Sequence, residues 1–202
     1  MELYIIRHGE TDWNKQKRLQ GQSDTILNDY GIKLAELTAE ALKDVHFDYI
    51  FSSPLKRAFQ TAEILRRDRN IDIVTDDRIK EIGFGINEGV PAEQITEDFH
   101  YFFDAPEMYR PAKGGETYEE LCIRSRDFVE NVLIPLSQKE PEARVLLVAH
   151  GALNKSIIIY LKHLEIKNMW DGVFQHNCCV NIFDINGYDF KLIEEAKVYY
   201  EI

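Results

Sequence analysis

Leu3-Tyr4-Ile5-Ile6-Arg7-His8-Gly9-Glu10-Thr11 is a short apolar run that ends in an arginine, a histidine and a glycine. Apolar residues without polar alternation, stopped by glycine, predict a strand covered on both faces. A second run of the same kind, Arg144–Ala149, stops at His150-Gly151. Strand and helix signals alternate between the two runs, which makes the strands parallel and places both histidines on one edge of a sheet. In open α/β sheets that edge is where ligands bind.

The spacing predicts a helix over 31–42 and a strand over 48–52. A helix then opens at Ser53-Pro54, with serine as N-cap and proline as first helical residue, and carries Leu55, Ala58, Phe59, Ala62 and Leu65 on one face. A weaker strand signal covers 71–74. Thr117-Tyr118-Glu119-Glu120 has the form of a capping box and starts a long helix with Leu121, Cys122, Ser125, Phe128, Val129 and Val132 on one face. A helix over 152–164 follows the second histidine. Strands over 180–185 and 190–193 flank Asn186-Gly187, the dipeptide of a tight hairpin. The expected fold is α/β: a three-layer α/β/α arrangement whose sheet is mostly parallel, with right-handed crossovers and an antiparallel edge strand. No repeat or linker divides the chain, so 1–202 reads as a single domain.

Composition sets limits on function. The 202 residues carry a formal net charge of −11, with 45% hydrophobic and 29% charged residues. Such acidity argues against nucleic acid as a partner, because that affinity rests on clustered Lys and Arg. No apolar run is long enough for a membrane helix, and the start of the chain lacks a signal-peptide pattern. The three cysteines, Cys122, Cys178 and Cys179, suit neither a disulfide framework nor a metal site, so a cytoplasmic setting is expected.

The residues at the strand ends suit phosphoryl transfer, which asks for positioning and charge stabilisation more than for covalent work. Arg7, Arg57 and His150, with backbone N–H groups at helix starts, would clamp phosphoryl oxygens. A neutral His8 would attack phosphorus, and the flanking arginines would lower its pKa and favour that form. The leaving alkoxide needs a proton, for which Glu81 is the candidate, later serving as the base that activates water.

These residues stand in a longer pattern. Arg7-His8-Gly9-Glu10-Thr11-x-x-Asn14 is followed by Leu27-x-x-x-Gly31, then by Ser52-Ser53-Pro54-Leu55-x-Arg57-Ala58-x-Gln60-Thr61-Ala62. Next come Glu81-x-x-Phe84-Gly85-x-x-Glu88-Gly89, Gly114-Gly115-Glu116-Thr117 and Val148-Ala149-His150-Gly151. In this order the landmarks resemble the histidine phosphatase superfamily, its phosphoglycerate-mutase-like branch, over nearly the whole chain. The resemblance implies that His8 is the phosphorylated nucleophile and that Arg7, Arg57 and His150 clamp the phosphoryl group. It further implies that Glu81 is the proton donor, that Asn14, Gln20 and Gly21 add phosphate contacts, and that Gly151 supplies a backbone N–H. Neither a metal nor another cofactor is implied.

The segment Glu81 to Gly89 lacks the basic residues with which mutases of this family hold a sugar-acid carboxylate, and no Lys or Arg follows Glu81 before Arg110. The pattern therefore looks like the family's small phosphatases, acting on a small phosphorylated metabolite as an acid-phosphatase-type monoester hydrolase. A 2,3-bisphosphoglycerate-dependent phosphoglycerate mutase and a non-catalytic phospho-ligand binding module are the alternatives. A monomer or homodimer is expected. A lid-like insertion at about 88–116 carries Phe99, His100, Tyr101, Phe102 and Phe103, then Met108 and Tyr109, a segment dense in aromatics that either pack on the core or cover the phosphate site, with Arg110 or Lys113 meeting an anionic tail. His46, His100, His163 and His176 have no motif around them and read as surface or packing residues.

Overall fold

The computed structural model describes residues 1–95 and 97–201, so position 96 of the expected 88–116 insertion lies outside the described residues. The strands are β1 (Glu2–Arg7), β2 (Tyr49–Ser52), β3 (Ile73–Thr75), β4 (Arg144–Ala149), β5 (Val180–Asn186) and β6 (Asp189–Lys197). The α-helices are α1 (Asp12–Lys15), α2 (Asp29–Ala41), α3 (Lys56–Arg66), α4 (Tyr101–Asp104), α5 (Tyr118–Phe128), α6 (Ile134–Lys139) and α7 (Gly151–Leu161). The sheet runs in the order β3-β2-β4-β1-β5-β6. β3, β2, β4 and β1 are parallel, while β5 joins β1 antiparallel and carries β6 as the edge.

Strand alternation divides the core between two layers of helices. Leu3, Ile5, Val145 and Leu147 point into the larger apolar cluster with α5, α6 and α7. Tyr4, Ile6, Ile50, Leu146 and Val148 point the other way, toward α2 and α3. Val145 through Ala149 have no exposed surface, as a strand covered on both faces requires.

Three local expectations need correction. The helix after β2 starts at Lys56, with Leu55 in the N-cap position and no side-chain cap, so Ser53 is not its cap. The hairpin loop is Gly187-Tyr188, because Asn186 still pairs with Asp189; Gly187 alone has a positive φ, +59°, as a type II′ turn needs. The helix opened by the Thr117–Glu120 capping box does form, but a π-helical stretch at Val129–Leu133 separates α5 from α6. The extra residue rotates the buried stripe, so Leu133 and Ile134 are buried where the regular spacing names Val132.

The edge that carries both histidines follows from this topology. The chain leaves β1 toward one side of the sheet and leaves β4 toward the other, and the crevice between these neighbours opens beyond their carboxyl ends. Arg7 pairs with Ala149 and Ser52 with Val148, so His8, Ser53 and His150 emerge side by side.

Candidate active site

His8 is held on every side. Its N–H donates to Ala149 O at 3.0 Å, and its carbonyl accepts from Asn177 Nδ2 at 2.9 Å. Gly9 N donates to Thr61 Oγ1 at 3.0 Å, tying the turn to α3. Glycine is required at position 9, since a Cβ there would stand 2.5 Å from Gly31 O, and at position 31, where a Cβ would run into the Glu10 backbone; this backbone-on-backbone approach explains the glycine of the Leu27-x-x-x-Gly31 landmark. His8 Nδ1 lies 2.6 Å from Gly9 O, which can only accept, so Nδ1 carries the proton and Nε2 keeps its lone pair.

Arg57, the second residue of α3, is fully buried. Its Nε donates to His8 Nε2 at 3.2 Å, Nη2 to Gly21 O at 2.7 Å and Nη1 to Ser23 O at 2.8 Å. Burial pulls its pKa down to about 10, leaving it cationic at neutral pH. Arg7 donates through Nη1 to Gln175 O, while its buried Nε has no partner. His150 is the N-cap residue of α7. Its Nε2 lies 2.7 Å from Ser53 Oγ, its buried Nδ1 has no partner, and its ring centre is 5.2 Å from that of His8. Burial, then the positive charge of Arg57, holds the pKa of both histidines well below the ordinary 6.5. The arginine effect expected on His8 is thus present, but desolvation is the larger cause.

Glu81 sits in the loop after β3 and reaches the start of α7. Its Oε1 accepts from Leu153 N at 3.0 Å and its Oε2 from Ala152 N at 3.3 Å, so free N–H groups of the helix orient the carboxylate. Arg124 on α5 fixes the loop, donating to the carbonyls of Arg78, Lys80 and Glu81 at 2.7, 2.6 and 2.9 Å. Glu116 in turn grips Arg124 Nε at 2.6 Å, which gives the Gly114–Thr117 landmark its physical meaning. The neighbouring acids do other work. Glu88 accepts from Gln22 N and Phe84 N, and Asp76 pairs with Arg78 at 2.6 Å.

Residues 3–196 match the histidine phosphatase superfamily, branch 1. The chain belongs to this family. It is 41% identical over 148 residues to an uncharacterized phosphatase, PhoE, of Bacillus subtilis, spanning 73% of this chain and 70% of that one. It is 30% identical over 174 residues to phosphoserine phosphatase 1 of Hydrogenobacter thermophilus, spanning 84% and 80%. The solved structure of Bacillus stearothermophilus YhfR superposes with a TM-score of 0.90 at 31% identity, over 98% of this chain and 97% of that one.

In this histidine phosphatase, Arg7, His8, Asn14, Gln20, Gly21, Arg57, Glu81 and Gly151 line one cavity of about 260 Å³; His150 does not line it, but its ring meets that of His8 edge-on. Asn14 and Gln20 are oriented by Thr11, whose hydroxyl lies 3.1 Å from Asn14 Oδ1 and 2.9 Å from Gln20 Oε1 and gives its one proton to one of them at a time. The far wall is Phe84, Phe102, Phe103, Trp170 and Phe174. Phe102 is buried among Phe84, Phe99, Tyr109, Tyr118 and Trp170, and its carbonyl accepts from Tyr118 Oη and Trp170 Nε1 at 2.9 and 2.6 Å. Phe103 is half exposed at the mouth. Tyr101, Tyr109, Arg110 and Lys113 do not line the cavity; Arg110 bonds the carbonyl of Tyr109 at 2.9 Å. Outside it, His46 pairs with Asp48, and His163 and His176 pack on Phe190 and Phe174.

Sequence reasoning missed Ser53, Arg124, Lys17, Arg18, Gln175, Trp170 and Phe174 of this histidine phosphatase. Ser53 had a signal, because it lies inside a landmark in which the helix start explains only part of the pattern. The others had none: each reaches the site from a loop or a helix face whose path local spacing does not encode. Among the described residues, no group of three His, Cys, Asp or Glu could hold a metal ion, and no helix is long and apolar enough to cross a membrane.

Proposed function

We propose that this chain is a phosphomonoesterase that hydrolyses a small phosphorylated metabolite through a phosphohistidine on His8, with Glu81 as general acid and then general base. The observation that carries this reading is the Nε2 lone pair of a neutral, buried His8 in one cavity with two guanidinium groups and a carboxylate. A binding module has no use for the nucleophile and the carboxylate together.

In the first step the His8 Nε2 lone pair attacks phosphorus, the bond to the ester oxygen breaks, and that oxygen takes the proton of the Glu81 carboxyl. Arg7, Arg57, Gly151 N–H and His150 Nδ1–H take the charge that builds on the phosphoryl oxygens, with Asn14, Gln20 and Gly21 around them. Such donors contribute about 2.7–4 kcal/mol each. His150 supplies its Nδ1–H in the tautomer whose Nε2 accepts from Ser53 Oγ. In the second step the Glu81 carboxylate takes a proton from water, the oxygen attacks phosphorus, and the P–N bond breaks to give phosphate and neutral His8. Phe102 and Phe103 of the 88–116 segment, with Phe84, Trp170 and Phe174, serve as the wall that meets the leaving alcohol.

The test is phosphate release from an aryl phosphate in EDTA by the native chain and by His8→Ala, with 3-phosphoglycerate and 2,3-bisphosphoglycerate assayed beside it. Turnover that vanishes in the variant, with trapped acid-labile phosphoprotein in the native chain alone, is expected. Interconversion of phosphoglycerates faster than their hydrolysis would make the chain a mutase; phosphate binding without any turnover would make it a binding module.

A further inference from the structure

The cavity at His8 carries more positive charge than one phosphate group needs. Its charged lining is Arg7, Lys17, Arg18 and Arg57 against the carboxylate of Glu81, and both histidines are neutral, so the lining is net +3 in a chain of formal charge −11. None of these four cations is ion-paired among the described residues, whereas Lys56, next to Arg57, pairs with Asp24 at 2.9 Å. A phosphomonoester brings close to two negative charges at neutral pH. Arg7 and Arg57 stand at His8 and answer those. The remaining excess belongs to Lys17 and Arg18, which make no side-chain hydrogen bond to His8, Arg57, Glu81 or His150.

Both residues are held in place by backbone rather than by acidic partners. The turn after α1 is paired to 89–92: Ala92 N donates to Lys17 O at 2.9 Å, Leu19 N to Val90 O at 3.1 Å and Gly89 N to Leu19 O at 2.8 Å. Arg18 Nη1 donates to Gly89 O at 2.8 Å, a fixed point for a guanidinium that lines the cavity. Lys17 has φ +52°, a left-handed conformation just beyond the helix end where glycine is the favoured residue. A lysine at such a place contributes nothing to the turn that glycine would not do better; what it adds is a charge at the cavity.

We propose that Lys17 and Arg18 form a second anion subsite, so that the substrate is a phosphomonoester whose alcohol bears one further anionic group, a carboxylate or a second phosphate. This rests on the phosphatase reading for the fate of the ester, but not for the binding. A charge-assisted contact of this kind changes affinity by about tenfold to a hundredfold, and at a solvated mouth the effect weakens with salt.

The experiment compares phenyl phosphate, 3-carboxyphenyl phosphate and 1,3-phenylene bisphosphate on the native chain, on Lys17→Gly and on Lys17→Gly/Arg18→Gln. Expected for the native chain is a KM at least about tenfold lower for one or both of the doubly anionic esters than for phenyl phosphate. The preferred ester tells whether the group is a carboxylate or a second phosphate. In the double variant the ratio falls toward one, while Lys17→Gly alone keeps or raises the melting temperature, which separates recognition from folding. Equal KM values on the native chain, or a preference that survives in the double variant, overturn the subsite. If none of the three esters turns over, the phosphatase reading fails. The subsite is then read from calorimetric Kd values for the same compounds, where equal affinities overturn it and a preference lost in the double variant supports it.

Discussion

Arg57 Nε donates across 3.2 Å onto His8 Nε2, so in the resting molecule the nitrogen that would attack phosphorus has its lone pair engaged by a guanidinium. The two Nη groups are fixed by Gly21 O and Ser23 O, and only the Nε–H has to pass from the ring to an arriving phosphoryl oxygen. Arg57→Lys keeps the charge but cannot hold both carbonyls and reach the phosphate. Expected is a loss of about 10²–10³ in kcat/KM, with a lower melting temperature; an aryl phosphate assay beside thermal unfolding checks it.

The two neutral histidines predict acid sensitivity. Their folded pKa values lie well below 6.5, while in the unfolded chain they titrate near 6.5. Between these values the unfolded chain binds protons that the folded one refuses, so stability is full above about pH 6.5 and falls as the pH drops through it. Two such groups give a slope of up to about 2.7 kcal/mol per pH unit below that point. Urea unfolding at a series of pH values measures the slope, and His8→Asn should halve it.

Ser53→Ala removes the partner of His150 Nε2 in a ring whose Nδ1 is already unpartnered. The variant should lose about 1–3 kcal/mol of stability. Its kcat should fall about tenfold to a hundredfold, as the ring loses its orientation, with a smaller change in KM; steady-state kinetics and unfolding report the two separately.

Glu81→Gln keeps the side-chain shape and one oxygen, enough for the Leu153 N–H though not also for that of Ala152, and the loop should stay in place because Arg124 holds it through the carbonyls of Arg78, Lys80 and Glu81. It cannot deliver a proton. Alkyl phosphates, which need protonation on leaving, should lose about 10²–10⁴ in rate, and 4-nitrophenyl phosphate much less in its first step. Because water activation is also lost, acid-labile phosphoprotein should accumulate and be trapped with labelled substrate.

Phe102 and Phe103 are adjacent and should behave differently. Phe102→Ala empties the centre of the aromatic cluster and should cost about 3–5 kcal/mol, with all substrates affected alike. Phe103 is half exposed at the mouth, so Phe103→Ala should shift KM among alcohols while leaving the melting temperature nearly unchanged. Kinetics on three leaving groups, with thermal unfolding, separates the two.

The layers and strand order follow from short-range signals: unbroken apolar runs stopped by His-Gly, the Thr117 capping box and the Gly187 hairpin. What the sequence withholds is whatever depends on a third element. Ser53 reads as a helix cap until His150, nearly a hundred residues later, claims its hydroxyl. Arg124 reads as a solvated helix residue until the carbonyls of the Glu81 loop meet it. Arg110 and Lys113 are the cations nearest the aromatic segment in the chain, yet the cavity takes Lys17 and Arg18, because the turn after α1 folds back against 89–92.

His8, Arg57 and His150 stand at strand ends and helix starts and Glu81 in the loop after β3, while the aromatic wall comes from Phe84, from α4 and from the loop carrying Trp170 and Phe174. Substrate range and turnover are therefore separately heritable. A lineage can redraw the shape of the alcohol it accepts by editing the exposed positions of α4 and of the 170–174 loop, such as Phe103 and Phe174, with no change to the residues that would break the ester. Transplanting those stretches between relatives should move preference as a unit, a practical route to redesign that leaves the sheet alone.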